Sequence, residues 1–233
     1  SCVSKSLPQT WEYGSAKAAA EGWRPQRYVI TDDNRVPVAL FQVLFKGLPV
    51  AGGVARVNRG PLMLREEPGA GHRLALGAIA ALAREAWCRR WWMLQIAPLL
   101  PPEPEVGSAL AGMRFRQRPD CPMDSALLSL DHTEDNLLKG LDGKWRNCLR
   151  KGQKLGVKVQ FDDSGRHFQA MLEFYQAQQR EKGYQGTSDR MIAALSDCTS
   201  GSFRFNLFVA TGGGDNAGDS PIGMLVTLRF GDV

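Results

Sequence analysis

DHTEDNLLKGLDGKWRNCLRKGQKLG, residues 131–156, is the stretch whose pattern decides the fold. Asp131 is placed to cap a first helical turn, and Glu134 follows three residues later in the capping-box position. Gly156 is the residue type expected just past a helix C-terminus. The stretch therefore predicts a helical segment with a defined start and a defined end.

Two internal glycines divide this segment. Gly140 and Gly143 each lower helix propensity by about 1 kcal/mol relative to alanine. We therefore predict two helices with a bend at residues 141–143 rather than one rod. The apolar residues recur at helical spacing, which predicts one side packed against the protein. They are Leu137, Leu138, Leu141, Trp145, Cys148 and Leu149.

A row of cations follows another side of the second helix. Arg146, Arg150 and Lys154 lie at i, i+4 and i+8, so their side chains share one face. Cations in the last turns suit the helix dipole, and a solvated face is one interpretation. The other is an anion-binding wall held to the protein by the apolar stripe. The sequence leaves both open.

Composition limits the class of protein. The 233 residues are 43% hydrophobic, which is ample for a core, and the net charge of +5 is compatible with a phosphate-bearing partner. Five scattered cysteines without a CxxC pair predict reduced thiols in a cytoplasmic protein. The three histidines are isolated, so we expect no metal. No apolar run reaches the ~20 residues of a membrane span.

The remaining pattern predicts two α/β domains of related plan, 1–130 and 131–233, the second truncated or divergent. The first begins with a helix over residues 7–22, capped by Thr10 and ended by Gly22. Three antiparallel strands, a long helix at 68–90 and two strands at 91–97 and 125–131 follow. The second contains helices at 164–182 and 189–196 and strands at 157–161, 203–210 and 221–230. We expect Trp87 and Trp145 in the cores.

Two glycine-containing segments resemble nucleotide-binding motifs incompletely. The loop at 212–218 lies between predicted strands, whereas a dinucleotide fingerprint joins a strand to a helix. The segment 153–158 lies at a helix end and lacks the last small residue of an acetyl-CoA pyrophosphate loop. We therefore predict that the chain does not bind acetyl-CoA tightly.

Three stretches together resemble the FemABX family of peptidyltransferases. They are PQTWEYGSAKAAAEGWRPQRYVI at 8–30, VARVNRGPLM at 54–63 and LLSLDHTEDNLLKGLDGKWRNCLRKGQKLGVKVQ at 127–160. The third carries the K-x-R-x-x-[IL]-[RK]-[KR] helix typical of the family. The resemblance implies two tandem acyltransferase-like (GNAT) domains.

The resemblance also implies substrates and site residues. The donor would be an aminoacyl-tRNA, and the acceptor an amine on a UDP- or lipid-linked muropeptide, with no cofactor. Lys17 and Arg146 match the positions of cations that hold the acceptor's diphosphate; Arg150 would extend this wall, and Tyr184 would add a contact. The family's C-terminal Phe-Lys pair has no match after Phe230, so catalytic residues are not assigned.

Two alternatives remain at this stage. One is an acyl-CoA-dependent N-acyltransferase in exopolysaccharide biosynthesis, and the other is a non-catalytic GNAT-like binding scaffold. In each case we expect a cytoplasmic protein without an integral membrane segment, a placement that is compatible with peripheral membrane association.

Overall fold

A computed structural model describes residues 5–48, 52–65, 72–118, 126, 128–213 and 220–231. The chain divides into two compact units. The first comprises Ser1–Gln117, Gln185–Phe205 and Leu228–Val233, and the second comprises Arg118–Tyr184 and Asn206–Thr227. The sequence predicts one domain boundary near Asp131, whereas each of these units combines segments that are separated in the sequence. A compact unit is not necessarily a segment that folds independently. The predicted domain boundary near Asp131 therefore stays a prediction.

The first helix begins and ends where the sequence predicts. A short 3-10 turn at Leu7–Gln9 leads into α1, Trp11–Glu21. The Thr10 hydroxyl accepts a hydrogen bond from the Tyr13 amide at 3.2 Å and so caps the helix. Gly22 ends it in the left-handed conformation, with φ of 71°, which glycine adopts without a Cβ penalty.

The first sheet confirms the predicted antiparallel meander. Its strands are β1 Arg24–Thr31, β2 Pro37–Leu48, β3 Gly52–Asn58, β4 Leu62–Met63 and β5 Met93–Ala97. The order is β1-β2-β3-β5, and β4 pairs with β2. Strand β5 runs parallel to β3 because the helix α2, Arg73–Cys88, returns the chain to the same end of the sheet.

Helix α2 covers one face of this sheet through a narrow apolar stripe. Its buried residues are Ala75, Ala78, Ile79, Leu82 and Ala86. They pack against the odd-numbered side chains of β2 and β3, of which Phe41, Val43 and Val57 are almost completely buried. The expectation for Trp87 is wrong, because this side chain is 85% exposed. At 100° per residue, a stripe through Leu82 and Ala86 leaves Trp87 on the outer side.

The chain after β5 contains five helices and a second sheet among its described residues. The helices are α3 Pro104–Gly112, α4 Glu134–Gly140, α5 Gly143–Lys154, α6 Phe168–Lys182 and α7 Asp189–Asp197. The strands are β6 Lys158–Phe161, β7 Phe203–Thr211 and β8 Pro221–Phe230. They form a three-stranded sheet in the order β6-β7-β8, with β6 antiparallel to β7. The fold class is the predicted mixed α/β.

The opening stretch forms two helices, as predicted, but with a different start and little burial. Thr133, not Asp131, caps α4 by accepting a hydrogen bond from the Asn136 amide at 3.4 Å. Gly156 ends the second helix with a φ of 68°. Trp145 is 64% exposed, so its expected core position is wrong, and the apolar stripe of α5 is not buried.

A second core lies in the first unit and joins α1 to α7. The buried residues Ala16, Met191, Leu195 and Phe203 form its centre. The half-buried Tyr13 packs against them. Residues from both sides of Asp131 therefore share one core.

Parts of four predicted elements lie outside the described residues. They are residues 50–51 of the third strand, 68–71 of the long helix, 125 and 127 of the strand at 125–131, and 214–218 of the glycine loop. The described residues 126 and 128–131 are not in a strand. Strands β7 and β8 flank the glycine loop, as predicted.

Two buried glutamines attach the start of α1 to β2. Gln9 accepts a hydrogen bond from the Gln42 amide at 2.7 Å and donates to the carbonyl groups of Gln42 at 3.2 Å and Asn58 at 2.8 Å. The Gln42 side chain donates in return to the carbonyls of Pro8 and Thr10, at 3.2 and 2.7 Å. Both glutamines are more than 90% buried. We call these contacts the glutamine lock.

Gly14 tests the glutamine lock. A Cβ at this position would overlap the Gln42 side-chain amide, which would then have to leave its two carbonyl partners. We expect Gly14→Ala to lower the free energy of unfolding by about 1–3 kcal/mol, the usual cost of overpacking. Gly77→Ala is the matched control, because a Cβ there meets nothing within 4 Å. The control should raise stability by about 0.5–1 kcal/mol in urea unfolding. Equal gains for both variants would contradict the lock.

Candidate functional site

Lys17 lies in α1 on the face that carries Tyr13 and Glu21. Spacings of four residues place the three side chains in one row. The Lys17 ammonium forms a salt bridge with Glu21 at 2.5 Å and lies 5.7 Å from the centroid of the Tyr13 ring. Its side chain is only 18% exposed. The Lys17 ammonium, which is predicted to contact phosphate, is therefore paired with a carboxylate.

Two cations from the sheet join Lys17. Lys46 in β2 donates a hydrogen bond to the Glu21 carbonyl at 3.0 Å. Arg56 in β3 donates to the Gln95 side chain at 3.1 Å, across the β3–β5 pair. Because Lys46 and Arg56 are both even-numbered residues of paired strands, their side chains share one face of the sheet.

Trp23 lies between these groups. The Lys46 ammonium is 5.5 Å, and the Arg56 guanidinium 5.2 Å, from the centroid of its ring, within cation–π range. Its indole nitrogen donates to the Glu21 carboxylate at 3.2 Å. We call Lys17, Lys46 and Arg56, with Glu21 and Trp23, the basic cluster.

The electrostatics of the basic cluster favour anions. Burial raises the pKa of Glu21, but the hydrogen bond and charge of Lys17, the Trp23 indole and the charge of Lys46 outweigh it, so this pKa is lowered. Burial and the charge of Glu21 raise the pKa of Tyr13, against the charge of Arg56. Glu21 is ionised at neutral pH, so the basic cluster combines three cations with one carboxylate. Two positive charges stay unbalanced, which suits a ligand that carries two negative charges.

The second unit carries the other predicted site residues. Arg146 donates a hydrogen bond to the Lys139 carbonyl at 3.2 Å, across the bend between α4 and α5. Asp142 caps α5 by accepting from the Lys144 amide at 2.8 Å. Arg146 is half-buried and Arg150 is exposed, and the two lie on one helix face. Tyr184, 41% exposed, follows the glycine that ends α6.

The structure thus assigns the predicted residues to two units. Lys17 lies in the first unit, and Arg146, Arg150 and Tyr184 lie in the second. A common diphosphate site for Lys17 and the two arginines stays a prediction. The sequence analysis missed Trp23, which follows the end of α1, and Lys46, for which the period-2 alternation of β2 was a usable signal. Strand register, which that signal does not supply, brings Lys46 to α1.

The second unit also contains an open concavity of about 430 Å³ between β6, β7 and the start of α6. Asp162 lies at its base, with a side chain only 3% exposed. It accepts hydrogen bonds from the amides of Ser164, Gly165 and His167 at 2.8–3.2 Å. Burial alone would raise the pKa of Asp162, but these bonds, and those from the Ser164 hydroxyl and the His167 ring, lower it to about 2.

The described ranges hold no group of three or more His, Cys, Asp or Glu side chains suited to a metal ion. No helix in the described part of the chain combines the length and the apolar character that a bilayer span needs. Cys88 and Cys148 are exposed free thiols, and Cys198 is a partly buried one.

The order of elements defines the class: a mixed α/β protein with two sheets among its described residues. No protein-family profile matches the sequence, and no curated protein matches it. A solved structure named FemX matches with a TM-score of 0.68 and 18% identity, over 91% of this chain and 54% of FemX. The chain has a FemABX-like fold, as predicted, and spans about half the length of FemX.

Two acetyltransferase structures match less well. One is a probable acetyltransferase, with a TM-score of 0.29 and 12% identity over 44% of this chain and 67% of its own. The other is a ribosomal-protein-alanine N-acetyltransferase from Brucella melitensis biovar Abortus 2308, with a TM-score of 0.29 and 20% identity. The match covers 45% of this chain and 70% of the acetyltransferase chain. Values this low do not support an argument about this chain.

The low pKa of Asp162 predicts a pH-dependent stability. Because the folded-state pKa of about 2 lies below the ordinary 3.8, the stabilisation is complete above pH ~4 and disappears as the pH falls through ~2. We expect Asp162→Asn to lower the free energy of unfolding by about 1–2 kcal/mol at pH 7. The difference from wild type should shrink in acid unfolding curves. Asp163→Asn is the control and should change little. A pH-independent difference would disprove the role of the charge.

Proposed function

We propose that the chain is part of an aminoacyltransferase that moves an amino acid from aminoacyl-tRNA to an amine of a peptidoglycan precursor. The basic cluster is the observation that carries the proposal, because three cations around one carboxylate suit a phosphate-bearing acceptor. The FemABX-like fold supports the same reading. Because one fold can support many functions, the proposal depends on the basic cluster rather than on the likeness to FemX alone.

The proposed chemistry is aminolysis of an ester. The acceptor amine attacks the carbonyl carbon of the aminoacyl ester, and a C–N bond forms. The bond to the ribose oxygen then breaks, and the proton lost by the amine passes to that oxygen. No covalent enzyme intermediate is needed, so the protein contributes mainly by aligning amine and carbonyl.

The acceptor's diphosphate would be held by the cationic side chains. Lys17 and Arg56 would contact it in the first unit, and Arg146 and Arg150 would contribute the face of α5. Arginine's planar fork suits paired contacts to phosphate oxygens, whereas lysine supplies a point charge. Tyr184 would add a contact to the acceptor.

A transfer assay tests the proposed function. The full-length protein is incubated with a UDP-linked muropeptide and either charged tRNA or acyl-CoA, and product masses are measured. We expect an aminoacyl mass increase that requires charged tRNA. An acyl increase that requires acyl-CoA would replace this function with the N-acyltransferase alternative. Binding of the muropeptide without product from either donor would favour a non-catalytic scaffold.

The helix-to-strand turn at residues 153–158 bears on the donor. Helix α5 ends at Lys154 and β6 begins at Lys158. A pyrophosphate loop of acetyl-CoA-binding proteins instead leaves a strand and opens a helix, where amides can cradle phosphate. This geometry supports a donor other than acyl-CoA. A cytoplasmic location is part of the proposal, because both proposed substrates are cytoplasmic.

Glu21 should compete with the acceptor for Lys17. We expect Lys17→Gln to weaken binding of the UDP-linked muropeptide by about 1.5–3 kcal/mol, the range for hydrogen bonds to charged groups. Glu21→Gln should strengthen binding, because it frees the ammonium. Calorimetry measures both affinities. If Lys17 and Glu21 form only a structural pair, neither variant will change the affinity.

Arg146 provides a second test on α5. We expect Arg146→Ala to weaken muropeptide binding by about 1.5–3 kcal/mol, while the melting temperature changes little, as is usual for surface charges. Lys151→Ala is the matched control, because five residues along the helix place Lys151 about 140° around the axis. Equal losses for the two variants would indicate general electrostatic attraction and contradict a specific contact.

A further inference from the structure

The connection between α2 and β5 exposes large apolar side chains. Trp87, in the last turn of α2, is 85% exposed, and Trp92, directly before β5, is 67% exposed. Met93 is 45% exposed. Their neighbour Trp91 instead packs against Tyr28 and Phe45, with ring centroids 6.2 and 5.9 Å away. The same short segment therefore anchors one indole in the core and presents two outward. We call residues 84–93 the tryptophan corner.

The tryptophan corner is also rich in arginine. It contains Arg84, Arg89 and Arg90 against one carboxylate, Glu85. Glu85 is occupied by Arg89 in a salt bridge of 2.5 Å. Within the part of the chain that the structure describes, Arg84 and Arg90 are exposed and make no ion pair. Two indoles thus lie in a segment with an excess of positive charge.

The exposure of Trp87 limits what can bind there. A side chain that is 85% exposed has water on nearly every side, so it does not line a groove. Proteins that stack bases of single-stranded nucleic acid combine aromatic side chains with a cationic groove. A protruding indole instead suits a broad, flat surface that it can enter. Tryptophan prefers the boundary between lipid headgroups and acyl chains, where its ring is buried and its N–H stays hydrated.

We propose that the tryptophan corner binds the surface of an anionic lipid bilayer. Trp87 and Trp92 enter the headgroup region, and the guanidinium groups of Arg84 and Arg90 contact lipid phosphates. Arginines near an anionic leaflet add attraction that salt screens. This peripheral contact is independent of the proposed function, since neither the basic cluster nor α5 takes part in it.

Co-sedimentation of the full-length protein with vesicles tests the proposal. Vesicles of equal parts phosphatidylcholine and phosphatidylglycerol should bind the protein, and phosphatidylcholine alone should bind it much less. We expect Trp87→Ala to lower the partition coefficient about tenfold, a change of about 1.4 kcal/mol. Trp11→Ala is the control, because this indole is 65% exposed but has the Arg27 guanidinium 3.3 Å above its ring. The control should bind like wild type.

A charge-matched pair separates the arginine contribution. Arg84→Gln should weaken binding to the anionic vesicles about threefold to tenfold, as expected for one cation near the membrane surface. Arg73→Gln removes the same charge from the same helix, about 16 Å away along its axis, and should have little effect. Thermal unfolding checks that each variant is folded, and both substitutions lie on exposed positions.

Four results would overturn the proposal. The first is absence of binding to either vesicle, and the second is an equal loss for Trp87→Ala and Trp11→Ala. The third is a loss of tRNA binding by Trp87→Ala in a filter-retention assay without a change in vesicle binding, which would show that the tryptophan corner binds RNA. The fourth is a dimer of the wild-type protein that Trp87→Ala dissociates, which would assign it to a second copy of the chain.

Discussion

The glutamine lock is the interaction on which the first unit depends. Gln9 and Gln42 are separated by 33 residues, and each satisfies polar groups that the other segment buries. A buried amide without a partner costs about 1–3 kcal/mol, so the lock fixes where α1 meets β2. From that contact, helical spacing carries Lys17 and Glu21 to the end of the sheet where Lys46 lies. The position of the basic cluster follows from the lock.

The basic cluster and α5 illustrate two ways of holding cations. In the cluster, contacts with Glu21 and Trp23 hold the cations close together before any anion binds. An anion that binds there must compete with the Glu21 carboxylate. On α5, Arg150 is exposed, and the half-buried Arg146 donates a hydrogen bond to the Lys139 carbonyl. Exposed side chains lose more conformational freedom when they bind. The basic cluster would therefore bind an anion in a defined orientation, whereas the cations of α5 would mainly attract it.

The site and the fold contribute differently to the functional argument. The likeness to FemX covers 91% of the chain at 18% identity, which establishes the path of the backbone. It does not establish which side chains meet a substrate, because related folds support different chemistry. The cluster, by contrast, has defined distances and two unbalanced positive charges. Residue-level contacts rather than the fold therefore suggest a phosphate-bearing ligand.

The sequence by itself determined where several helices begin and end, whereas the tertiary structure decided which side chains are buried and which distant residues they contact. The Thr10 cap, Gly22 and the division between α4 and α5 were predictable because a helix start or end depends on a few adjacent residues. Lys17 was found through resemblance, but Lys46, which binds the Glu21 carbonyl, was not, because strand register brings it to α1. The burial of Trp87 and Trp145 was predicted wrongly for a related reason. Helical periodicity shows which residues share a face, and only packing between distant segments decides which face is covered.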